Sequence, residues 1–208
     1  MKTRIDGTQH LSEVLPEEIC SRLNMTTEEF EAEAPAAERN TRYSMLVLAV
    51  TAYEDYLAGI LRSFLMTHWT ASNTYNVRFI PSELPEPASI IEYIKGRAID
   101  QKVDSLIGEK YDNRFSSIKK LIKKYGASEP QLSGLASSLA SCACVARNSI
   151  VHASGYVDER AVDSLQALLP NIQTGTMLVL DEALLWKLLG ALRDSARSID
   201  VVVREAAT

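Results

Sequence analysis

Cysteine is scarce in this chain. Cys20, Cys142 and Cys144 are too few and too unevenly spread for a disulfide framework, and no second cluster completes a zinc site. Cys142 and Cys144 are therefore expected to be reduced and to pack as small apolar residues. Long apolar runs are missing too: the longest, MLVLAV at 45–50, is far too short to cross a bilayer, and the opening MKTRIDGTQHLSE has no apolar signal core. A cytoplasmic protein with no membrane partner is the expectation. Positive charge is not in excess. With 22 Lys and Arg against 27 Asp and Glu the net charge is −5, which argues against indiscriminate nucleic-acid binding yet permits a local basic cleft. Histidine occurs three times, and no carboxylates cluster near those positions with metal-ligand spacing, so neither a metal centre nor a cofactor is expected.

What is present reads as one folded domain with decorations. The 208 residues, 46% hydrophobic and 24% charged, suffice for a single core, and no linker, repeat or low-complexity tract divides them. Residues 1–35 are acidic and weakly periodic, which predicts a mobile N-terminal extension with short helical pieces ahead of a helical domain at 36–208. From Tyr43 to Leu65 the residues Leu46, Val50, Tyr53, Leu57, Ile60 and Phe64 recur at steps of three and four, the pattern of a long core-facing helix. A proline- and Asn-rich loop follows through residues 70–89, with Tyr75 and Phe79 expected to pack or close it.

A second helix follows, with Ile91, Ile94, Ala98, Val103, Leu106 and Ile107 on its apolar face, and ends at Gly108. A shorter basic helix ends at Gly126, another spans 131–152, and one covers 159–169. TGTMLVL suits a brief extended stretch, and Asp181 caps a closing long helix. The fold class is all-α, a bundle with short connections.

The helix at 131–152 carries the chemistry. Leu132, Leu135, Leu139, Cys142 and Ala146 are expected to bury one face. A second stripe, Ser137, Ser141, Cys144, Asn148 and His152, is made of small side chains and ends in functional groups beside Arg147. Tight internal packing explains such a stripe by itself. Within one copy, Arg147 and His152 are separated by roughly 140° around the helix. Two copies crossing through the stripe would gather two arginines and two histidines around one cleft.

Gly155 should terminate the helix and place His152 in its last turn, where the helix dipole favours imidazolium. Histidine moves protons, arginine neutralises phosphate and Asn148 orients either group. These tools suit metal-free RNA cleavage by the neighbouring 2′-hydroxyl, in which charge grows on the phosphoryl oxygens. A helix-end ion pair or cap is the bland reading of the same residues.

RNSIVH at 147–152 resembles the Arg-Asn-x-x-x-His signature of the HEPN superfamily, and LVLAVTAYEDYLAGILRSFL resembles that family's long early helix with an acidic residue set in an apolar pattern. The resemblance extends over about residues 38–204 and implies a HEPN-like helical bundle with short additional helices and the proline-containing loop. It also implies a homodimeric, metal-independent endoribonuclease with a composite cleft, of the kind found in toxin–antitoxin and antiviral systems, with a separate antitoxin or regulatory protein as a further partner.

Carried over by position, Arg147 binds the scissile phosphate, His152 is the acid–base residue, Asn148 the polar residue following the arginine, and Glu54 a supporting partner, with Asp55 the adjacent alternative. Arg114, Lys119, Lys120, Lys123 and Lys124 are the candidate source of a positive field for RNA, although IKKLIKKY is also what a solvated helix face looks like. The rival expectation is a non-catalytic HEPN module that binds a nucleotide or protein partner.

Overall fold

The structure is a computed structural model that describes residues 27–69, 89–109, 111–166 and 168–206. Among the described residues there are six helices: α1 Thr27–His68, α2 Ile90–Ile107, α3 Tyr111–Lys124, α4 Gly134–Ala153, α5 Glu159–Leu165 and α6 Glu182–Ala206. No strand occurs among the described residues, and the extended stretch expected at 174–180 reduces to one isolated antiparallel bridge between Tyr156 and Met177. The all-α class expected from periodicity is the class observed. Residues 1–26 and the loop carrying Tyr75 and Phe79 lie outside the described residues.

By internal contacts the chain divides after Met45. The described part of the first unit is the beginning of α1, which starts at Thr27 and contains Pro35, sixteen residues earlier than the apolar stripe that begins at Tyr43. Its Ala- and Glu-rich sequence needs no apolar face to favour helix. It also has local support, with Arg42 donating to Glu38 at 3.0 Å and the Thr41 hydroxyl to the Ala37 carbonyl at 2.9 Å. By length and composition Glu31–His68 is apolar enough to cross a membrane, a test that the core helix of a bundle also passes.

The second unit, from Leu46 onward, holds the core. Leu57, Leu61, Phe64 and Leu65 of α1 interlock with Ile99, Val103 and Leu106 of α2, Ile118 and Ile122 of α3, and Ile199, Val202 and Val203 of α6. Each such side chain contributes roughly 1.5–3 kcal/mol through removal from water. α4 packs most extensively on α6 and also touches α5 and α3. Its buried residues are small, namely Ala140, Cys142, Ala143, Cys144, Ala146 and Ser149, so its backbone approaches its neighbours closely. Cys142 and Cys144 are both buried, as expected of small apolar residues.

Three apolar expectations fail. Leu135 is 70% exposed, Ile91 is 78% and Ile94 is 37% exposed. Leu135 lies in the first turn of α4 and Ile91 and Ile94 near the start of α2, where the periodic stripe continues past the helices that cover its middle.

The helix ends follow local chemistry. Ser133 accepts the Ala136 N–H at 3.1 Å, Asp158 accepts the Ala161 N–H at 2.8 Å, and Asp181 accepts the Leu184 N–H at 2.7 Å. Gly108 closes α2 by donating to the Asp104 carbonyl, and Gly126, with φ of 81°, follows α3. Beyond α4, Ser154 adopts φ of 53° and Gly155 φ of 88°, and the Gly155 N–H reaches back to the Ser149 carbonyl at 2.9 Å. That stop places His152 in the last turn, as the sequence implied. The helix expected at 159–169 ends sooner, at Leu165, five residues before Pro170.

Candidate functional site: a carboxylate shared by two arginines

Glu54, Arg114 and Arg147 come from α1, α3 and α4, and they meet. Arg114 Nη1 donates to Glu54 Oε1 at 2.9 Å, and Arg147 Nη2 donates to Glu54 Oε2. Each carboxylate oxygen therefore takes a different guanidinium. Arg147 Nη1 also donates to Asn148 Oδ1 at 3.0 Å, and Arg114 Nη2 donates to the carbonyl of Ile107, in the last turn of α2. The side chains of Arg114, Glu54 and Arg147 are 6%, 16% and 19% exposed, so the charges are largely, but not wholly, removed from water. Counting only these three groups, two positive charges share one negative.

Local sequence explains how each arrives. Glu54 follows Tyr53 on the core stripe of α1 and sits at its margin, half-buried, while Asp55, a further 100° or so around the helix, is exposed. Arg114 is in the first turns of α3, and Arg147 lies one turn and a half before the end of α4, with Asn148 beside it.

The surroundings keep the cluster polarised. The Tyr53 hydroxyl is 3.0 Å from Ser195 Oγ of α6, and burial pushes its pKa up to about 12 despite that hydrogen bond. Burial likewise pushes the Cys144 thiol up to about 12, and this thiol senses the charges of Arg114, Glu54 and Arg147. Both groups stay neutral around pH 7 and act as low-dielectric walls in which charge–charge interactions are stronger than in water. Tyr53, Arg114, Ser137, Ser141, Cys144 and Ser195 line a pocket of about 20 Å³, room for about one water.

The structure thus brings together Glu54, Arg147, Asn148 and Arg114 from the residues singled out in the sequence. Arg114 was expected to contribute to an exposed basic field and instead is buried within the ion-pair cluster. The lysines are not gathered there. Lys119 and Lys123 lie 3.5 and 2.7 Å from the carboxylate of Glu129, which raises the pKa of Lys123 and lowers that of Glu129 through the same hydrogen bond. Lys120 and Lys124 are exposed. His152 is exposed at the end of α4 and, among the described residues, makes no hydrogen bond or ion pair. One chain does not join it to Arg147.

Sequence reasoning missed Ser195 and gave Tyr53 only a packing role. The available signal was a serine occupying a core step of α6, between Leu192 and Ile199, where a lone hydroxyl needs a partner. Among the described residues no group of three His, Cys, Asp or Glu side chains could hold a metal ion. Comparison with protein-family models, curated proteins and solved structures found no match to this chain.

Proposed function

We propose that the chain is a HEPN-type, metal-independent endoribonuclease whose active site forms between two copies. The observation that carries this reading is the fixing of Arg147 by Glu54 and Asn148, five residues before an unengaged histidine at the helix end. An arginine clamped on one side is oriented in advance for a phosphate on another, and preorganised charge is the largest lever on a reaction that builds negative charge. The sequence resemblance of RNSIVH and of the Glu54 helix to the HEPN pattern supports the same assignment.

In the proposed reaction, one His152 removes the proton of an RNA 2′-hydroxyl, whose oxygen attacks the adjacent phosphorus. Arg147 stabilises the phosphoryl oxygens as the P–O5′ bond breaks. The second copy's His152, protonated, gives its proton to the departing 5′-oxygen, leaving a 2′,3′-cyclic phosphate and a 5′-hydroxyl. A cytoplasmic location, and an antitoxin or other protein that restrains the enzyme, belong to this proposal.

The exposed position of His152, outside the Glu54–Arg147 hydrogen bonds, favours a second reading, a non-catalytic module in which the Arg147 cluster steadies a surface for a nucleotide or protein partner. Incubation of purified protein with RNA in excess chelator separates the two. The enzyme cleaves, and Arg147→Ala and His152→Ala each lose cleavage. Cleavage no greater than in those variants favours the binding module.

A further inference from the structure

We infer that Arg114 is a positioning residue that keeps Arg147 available to an anionic ligand by occupying half of the Glu54 carboxylate. This rests on the proposed role of Arg147 as the phosphate-binding group. An arginine facing a carboxylate alone tends to form a two-pronged fork in which both oxygens are used and the charges cancel. Here the fork is split. Oε1 belongs to Arg114 and Oε2 to Arg147, so Arg147 gives Glu54 a single nitrogen and turns its other terminal nitrogen to Asn148.

A guanidinium has five N–H groups, and those two bonds leave Arg147 with donors in reserve. Its Nε is buried and meets no acceptor among the described residues.

Arg114 is suited to this task and not to contact with a ligand. It is 5% exposed and tied by a second bond to the Ile107 carbonyl, so its guanidinium cannot swing out to a ligand. Its effect on the site is electrostatic and geometric: with it the three-group cluster carries one net positive charge, and without it the Glu54–Arg147 pair is neutral. Arg147 then becomes free to close the fork on Glu54, and its anion-binding capacity falls although the residue itself is untouched.

The arrangement predicts a rescue. Arg114→Met preserves the aliphatic stem and removes the charge, and is expected to weaken binding of a non-cleavable 2′-O-methyl oligoribonucleotide about tenfold, the scale of one charge-assisted hydrogen bond. Adding Glu54→Gln to that variant restores the net positive charge and recovers most of the affinity. Arg114→Lys, which keeps the charge but not the fork, is expected to lose less affinity than Arg114→Met. A merely structural role predicts that the double variant is at least as damaged as Arg114→Met.

A second readout does not depend on RNA: the rate at which phenylglyoxal modifies Arg147, followed by peptide mass spectrometry, falls in Arg114→Met and rises again in the double variant. Arg114→Gln is a second neutral replacement should the Met variant fold poorly, with circular dichroism as the check. If no variant binds RNA but the modification rates follow this order, the RNA reading fails and the positioning role stands. Unchanged Arg147 reactivity in both neutral Arg114 variants, or a double variant no more reactive than the single one, overturns the inference.

Discussion

Replacing Glu54 by Gln removes the one negative charge that two largely buried guanidinium groups share, and nothing else of comparable size. Two charge-assisted bonds weaken at once, and Arg114 and Arg147 are left facing each other across an amide. Breaking a buried ion pair by removing one partner costs about 3–5 kcal/mol. With Glu54 and Arg147 16% and 19% exposed, water screens part of the repulsion, which places the expected loss at about 3 kcal/mol, the lower end of that range.

For a domain of this size that loss corresponds to a fall in Tm of about 6–12 °C, and in urea to a lower midpoint at an unchanged slope. Asp55→Asn is the matched control. It deletes the same charge from the next residue, which is exposed, and should change stability by less than about 0.5 kcal/mol. Thermal and urea unfolding of the two variants side by side make the assay. Equal shifts in both, or a Glu54→Gln loss below about 1 kcal/mol, would refute the shared-carboxylate account.

Other parts of the structure give independent expectations. Ser154→Gly relieves a positive φ that a side chain adopts only at a cost, so it should stabilise the end of α4 by about 0.5–1 kcal/mol, measurable by thermal unfolding. The Cys144 thiol, raised from 9.0 to about 12 by burial, should resist a thiol reagent at pH 8 in the folded protein and react promptly after denaturation. With Tyr53 also raised, from 10.0 to about 12, the folded chain keeps protons that the unfolded chain releases. The contribution of these two groups should therefore be level between about pH 7 and 9 and fall as pH rises towards 12, by about 1.4 kcal/mol per pH unit for each such proton, as read from urea midpoints across that range. Lys119→Ala and Lys123→Ala, both engaged by Glu129 on an exposed face, should leave the urea midpoint almost unchanged, because water and salt screen such pairs.

Helical class, helix stops and the core stripe of α1 were legible because each is a local matter: period, caps and glycine at positive φ. Asp181 and Ser133 act three residues ahead and Gly155 six residues back, and their roles follow from residue type. The early start of α1 was obscured because EEFEAEAPAAERN has helix propensity without an apolar stripe, and Pro35 suggests a break that the helix absorbs. Leu135, Ile91 and Ile94 show the limit of periodicity, which marks a face but not which neighbour reaches its ends.

The candidate site divides the same way. Arg147, Asn148 and His152 share one short motif, and Glu54 was found by resemblance of its helix. The burial of Arg114 depends on a carboxylate 60 residues earlier and a helix-end carbonyl, neither of which leaves a trace in DNRFSSIKK. A long-range ion pair has no periodicity to read.

The most direct test of the account concerns the chemistry assigned to Arg147 and His152. A labelled RNA is incubated with the protein in excess chelator, alongside the same RNA carrying a single 2′-deoxy substitution at the mapped cleavage position, and the product ends are identified. The account predicts cleavage with a 2′,3′-cyclic phosphate end that vanishes at the 2′-deoxy position and in both Arg147→Ala and His152→Ala. Cleavage that survives the 2′-deoxy substitution, or wild-type protein that leaves the RNA as intact as the two variants do, would contradict it.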